Sequence, residues 1–217
     1  MTFVSHVRFR RALVFMTLLL AAPPARAELV THQFTGHVTT VTNGSGVTAD
    51  LTGFFTVGQS ATLEYTIERT TTPEPQDPYT SGYTGAITAL SFSIGSWTAS
   101  GAPGYSFTTV VNNEPSPVSG VYDQYSASAQ GGITADPLGN TMLSSVTYTL
   151  DDVQGTVFNS TVIPNVFPDL GAFEGKTFTV LIFDLDQLKS GYVMVTLGGV
   201  TTPTQPSTWG RIKGLYR

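Results

Sequence analysis

The chain has 217 residues, with 10 Lys and Arg against 15 Asp and Glu, three histidines and no cysteine. Zero cysteine excludes disulfides, thiol nucleophiles, Fe–S clusters and cysteine-based zinc sites. The scarce cations argue against nucleic acid and against an anionic membrane surface as partners, since both require clustered Lys and Arg.

The N-terminal segment sets the compartment. Arg8, Arg10 and Arg11 precede an apolar run over residues 12–22, which Pro23, Pro24 and Ala25-Arg26-Ala27 close. A charged start, an apolar stretch too short to span a bilayer and a small-residue site predict a secretory signal peptide cut after Ala27. The mature chain then begins at Glu28 and is secreted, periplasmic or on the cell surface. Cleavage removes four of the ten basic residues and no acid, so six cations face fifteen acids and the net charge is −9. No later apolar run reaches the roughly 18 residues of a membrane span, so none is expected in the mature chain.

Beyond the leader the dominant signal is alternation with period two. Residues 29–41 form an early strand. Ala61, Leu63, Tyr65 and Ile67 share one face of the next, with Thr62, Glu64, Thr66 and Glu68 on the other. Leu90, Phe92 and Ile94 alternate with serines, Val146, Tyr148 and Leu150 with Thr147 and Thr149, and Phe178, Val180 and Ile182 with Thr179, Leu181 and Phe183. Residues 192–197 complete the series. The Phe178 strand is apolar on both faces toward its end, which predicts a central position. Turn clusters fall at Asn43-Gly44, Asn112-Asn113-Glu114-Pro115, Gly131-Gly132 and Pro137-Leu138-Gly139-Asn140. Residues 70–83, with three prolines, read as a loop, and residues 162–175 as an irregular arm across one end. These patterns predict a single all-β domain, an antiparallel β-sandwich of jelly-roll-like type, over residues 28–200. A flexible tail follows over 201–217.

Candidate chemistry is sparse. His32 and His37 lie five apart, which puts them on opposite faces of a strand unless a bulge at Gly36 resets the register, and both are expected to be exposed. No nucleophile-elbow, zincin, P-loop or dinucleotide motif occurs, so no catalytic residue is assigned and the chain is not expected to be an enzyme. Asp184 and Asp186 end the strongest strand on one face and are the candidate ligands for a structural Ca²⁺, which takes sets of oxygen ligands from loops. Tyr79, Tyr83 and Trp97 lie near loops and strand ends and are the candidate ligand-binding aromatics, since flat rings stack on sugars.

Three blocks carry a likeness to a known family. They are Phe34-Thr35-Gly36-His37-Val38 with Phe55-Thr56-Val57-Gly58-Gln59, then Tyr83-Thr84-Gly85-Ala86-Ile87 with Leu90-Ser91-Phe92-Ser93-Ile94-Gly95, then Val162-Ile163-Pro164 through Pro168-Asp169-Leu170-Gly171-Ala172-Phe173. In these the chain resembles the PEP-CTERM, or exosortase-sorted, exported bacterial proteins. The resemblance implies an all-β exported domain in a polysaccharide-producing bacterium, and a C-terminal Pro-Glu-Pro with an apolar helix and a basic end. The chain departs from that tail: its Pro73-Glu74-Pro75 is internal, and Arg211, Lys213 and Arg217 follow no apolar span. The expected role is structural or adhesive at the cell surface or in the extracellular matrix, with extracellular polysaccharide or a surface protein as partner. The alternative is a carbohydrate-binding module using the loop aromatics, with or without calcium.

Overall fold

Alternating side chains become strands along most of the described chain. The structure is a computed structural model that describes residues 27–44, 50–118, 120–186 and 188–201. Apart from Ala27 and Thr201, the expected leader and tail lie outside these residues. Strands β1 (Leu29–Thr42), β2 (Ser60–Glu68), β3 (Glu74–Pro75), β4 (Thr80–Thr84), β5 (Ile87–Ile94) and β6 (Trp97–Gly101) are followed by β7 (Tyr105–Ser116), β8 (Gly120–Gln130), β9 (Ile133–Ala135), β10 (Thr141–Asp152), β11 (Gly175–Asp184) and β12 (Lys189–Thr201). One helical turn, α1 (Leu51–Phe54), follows β1, and a 3₁₀ turn (Leu170–Ala172) precedes β11.

All twelve strands belong to one antiparallel sheet in the order β3-β4-β7-β8-β10-β11-β12-β1-β2-β5-β6-β9. β11 is central, as its two-faced apolar pattern requires. The sheet is curled into a half-barrel, and two aromatic contacts show how far. β10 and β2 are four strands apart, roughly 19 Å at the usual interstrand spacing, yet the rings of Tyr148 and Tyr65 lie 4.8 Å apart. β11 and β5 are equally separated, and Phe178 meets Phe92 edge-on at 5.3 Å. The two wings therefore face each other and bury one core between them. The all-β antiparallel fold expected from the sequence is the fold observed. The facing layers a sandwich requires are wings of a single hydrogen-bonded sheet, and alternation alone carries no information on that strand order.

Interior positions follow the alternation: Phe34 and Val38 on β1, Leu63, Tyr65 and Ile67 on β2, Val146, Tyr148 and Leu150 on β10, Val193 and Val195 on β12. Gly36 holds the crowded step on β1, where a Cβ would lie 2.4 Å from the Thr196 carbonyl oxygen. The β1–β12 register shifts there while the β1–β2 register runs on unbroken, so inside and outside keep alternating.

Two local readings need correction. The Pro-rich residues 70–83 contain strands β3 and β4, because Pro75 sits at the sheet edge where a missing N–H costs no ladder bond. The Asn112–Pro115 cluster is a bulge inside β7 and not its end: the register shifts between Val111 and Glu114. Asn113 takes the left-handed conformation at φ 53°, which Asn tolerates better than most residues.

Residues 153–174, between β10 and β11, close one end of the half-barrel. Phe158, Ile163, Phe167, Leu170 and Phe173 from this arm are all buried, and Phe167 meets His32, Phe34 and Tyr125.

Candidate functional site

The three aromatics singled out from sequence do not share a surface. Tyr83 is buried on β4, with its hydroxyl donated to the Thr161 carbonyl at 2.7 Å. Trp97 is buried against Phe55 and Phe92 and donates its indole N–H to the Asp136 carbonyl at 2.8 Å. Neither offers a free ring face for a sugar: alternation along β6 turns Trp97 inward, and Tyr83 lies in β4, where Thr80 to Tyr83 are all buried. Tyr79 alone is exposed, on a turn that Asp77 closes by accepting its N–H at 2.7 Å.

Asp184 and Asp186 do line one cleft, of about 290 Å³, together with Asp50 and Asn140. Asp184 is the buried last residue of β11 and accepts the Asp186 N–H at 2.8 Å, while Asp186 accepts the Asn140 amide. Asp50 caps α1. The Thr52 hydroxyl, then the Asn43 amide, hold its carboxyl below the usual range. Among the described residues no three His, Cys, Asp or Glu side chains converge as a metal ion would require. The carboxylates of this cleft are met by hydrogen-bond donors.

The histidine expectation divides. His37 is exposed and His32 is not: they do face opposite sides of β1, but His32 is 1% exposed. It lies between Tyr65 and Phe167 at 5.1 and 4.9 Å. Burial, aided by the Arg69 charge, lowers its pKa to about 4, so the ring is neutral at physiological pH.

Sequence reasoning missed a second carboxylate pair. Asp123 and Asp152 are direct cross-strand partners on β8 and β10, both buried. Asp123 accepts the N–H groups of Asn113, Val157 and Phe158 at 2.7–2.9 Å. Asp152 accepts those of Gln154, Thr156 and Val157 at 2.6–3.0 Å, and the Thr156 hydroxyl. Burial pushes the Asp152 carboxyl up, but the N–H bonds prevail and its pKa is lowered. N–H donors aimed at both carboxylates leave no lone-pair shell for a cation. Their work is to pin the start of the arm over residues 153–174. The Asp151-Asp152 doublet was visible in the sequence, but its partner was not.

Arg69 marks another feature found only in three dimensions. Its guanidinium pairs with Glu28 at 2.6 Å and lines an open cleft of about 390 Å³ beside Asn159, Ser160 and Asn165.

The outer face of the sheet shows the most regular chemistry. Thr109, Ser126, Thr149, Thr177 and Thr196 stand in register on five adjacent strands, β7-β8-β10-β11-β12. Ser128, Thr147 and Thr179 form a second rank beside the first. All are half-buried or exposed, and no charged side chain stands between Thr109 and Thr196 in that rank. The T-x-T spacing on β10 and β11 was legible in the sequence; the cross-strand register was not.

Compared with protein-family models, curated proteins and solved structures, the chain matches none.

Proposed function

We propose that this is an exported, non-catalytic protein with a structural or adhesive role at a bacterial cell surface or in the extracellular matrix, binding neutral polysaccharide. One observation carries the reading: the two ranks of Thr and Ser on the outer face. Hydroxyls repeated at the interstrand spacing of about 4.8 Å give a broad, uncharged hydrogen-bonding surface that suits a hydrated neutral polymer. A body at net −9 would repel acidic polymers. The expected signal peptide supports export. Cleavage after Ala27 leaves one residue, Glu28, ahead of β1, so processing leaves the sheet whole. The burial of Tyr83 and Trp97 turns the reading away from aromatic stacking and toward the hydroxyl face.

The test is retention of the exported protein on insoluble neutral polysaccharide and on cell-surface material, against a Thr149→Lys/Thr177→Lys variant. These side chains point outward, so the variant should keep its Tm within a few degrees. The wild type should be retained at least tenfold better. Equal retention of both proteins would rule out this face, and no retention of either would rule out the adhesive role.

A further inference from the structure

Among the described residues, four buried hydroxyl oxygens have no aligned hydrogen-bond partner: those of Tyr65, Tyr125, Tyr148 and Thr108. The sheet register explains how they meet. Ala127 on β8 lies opposite Tyr148 of β10 on one side and Thr108 of β7 on the other. Tyr125 precedes it by two residues on the same inward face. Three hydroxyl-bearing side chains therefore surround the small methyl group of an alanine. Tyr65 enters from the facing wing, its ring 4.8 Å from that of Tyr148, and the Tyr125 ring lies 5.7 Å from Tyr148 on the other side.

The phenol hydroxyls perturb one another's ionisation, although burial is the larger cause. It pushes Tyr125 up to about 12 and raises Tyr65 and Tyr148 well above the ordinary phenol value. The four hydroxyls are close enough to act on one another as hydrogen-bonding neighbours, yet none is aligned as a hydrogen bond. A purely apolar core would use phenylalanine at these positions, as the neighbouring Phe34, Phe167 and Phe178 do, because a buried unpaired hydroxyl is costly. A buried water typically makes about three hydrogen bonds to groups that otherwise lack partners. Four neutral hydroxyls among aromatic rings match a neutral ligand that both donates and accepts.

We propose that Tyr65, Tyr125, Tyr148 and Thr108 form an internal water-binding site, in which ordered water bridges the two wings of the sheet. Tyr65 supplies one wing's hydroxyl and the other three residues supply the opposite wing's. The site is independent of the outer hydroxyl face.

Tyr148→Phe and Tyr65→Phe, made in the full chain and recovered after export, test this by sign. If water bridges the hydroxyls, removing one strands the water and its other partners, and Tm should fall by roughly 2–6 °C. If the hydroxyls are simply unpaired, the same change removes a buried penalty and Tm stays level or rises, which overturns the proposal. A crystal structure of the wild type, at a resolution that places waters, decides independently should a variant fail to fold. Ordered water within hydrogen-bond distance of at least two of the four hydroxyls supports the site. No such water, including an outcome in which the hydroxyls bond directly to one another, overturns it.

Discussion

His32 shows how one residue imposes a pH dependence on the whole fold. An unfolded histidine titrates near 6.5, whereas the buried ring titrates at about 4. Between those values the unfolded chain binds a proton that the folded chain refuses, so stability is complete above pH 6.5, falls as pH drops and has lost its full share below pH 4. At about 1.4 kcal/mol per unit, the wild type should lose about 2 kcal/mol between pH 7 and pH 5. His32→Phe, which keeps a ring between Tyr65 and Phe167, should lack this loss. Urea melts of both proteins across that range check it, and parallel profiles would show that His32 is not the sensor. The alternation of β1 identified which of His32 and His37 opposed the other, but not which side was inside. That depended on the arm over residues 153–174, whose Phe167 closes over His32 from a distant part of the chain.

The arm itself belongs to the scale of elements. It has almost no regular structure, and its hold on the sheet rests on five buried aromatic and aliphatic side chains and on the carboxylates of Asp123 and Asp152. Hydrogen bonds to charged groups contribute about 1.5–3 kcal/mol each. Asp152→Asn, which turns an amide donor toward N–H donors, should therefore lower stability by about 2–3 kcal/mol and speed proteolysis within residues 153–174 at neutral pH. Cleavage elsewhere at the same rate as in this arm would contradict the pinning role. The acid behaviour of Asp152 occupies a lower window than that of His32. Its folded pKa is depressed, so its contribution is present above the unfolded carboxylate value near 3.9 and is lost as pH falls below it. Two adjacent acids at Asp151 and Asp152 carry no local sign of burial, since nothing near them in the chain shows that Asp123, 29 residues earlier, lies directly across from Asp152.

For the whole molecule, the export reading makes a prediction about covalent structure. β1 begins at Leu29, and Glu28 is tied to Arg69 twice, by the Arg69 N–H to its carbonyl at 2.9 Å and by the ion pair. The protein recovered from the outside of its cell should begin at Glu28, as N-terminal sequencing or intact mass would show. An intact leader on a protein retained in the cytoplasm would refute export and, with it, a role at the surface.

Sequence alone carried the local features: which residues alternate, where most turns fall, that the fold is all-β and antiparallel, and that cysteine chemistry is absent. Alternation fixes the two faces of a strand because successive side chains must point oppositely. The tertiary structure decided what depends on residues far apart in the chain. It set the strand order, folded one sheet over itself, turned Tyr83 and Trp97 inward, paired Asp123 with Asp152 and aligned five hydroxyls across five strands. Those outcomes rest on register and on the curl of the sheet, both set by the packing of the two wings against each other and beyond the reach of any one strand's pattern.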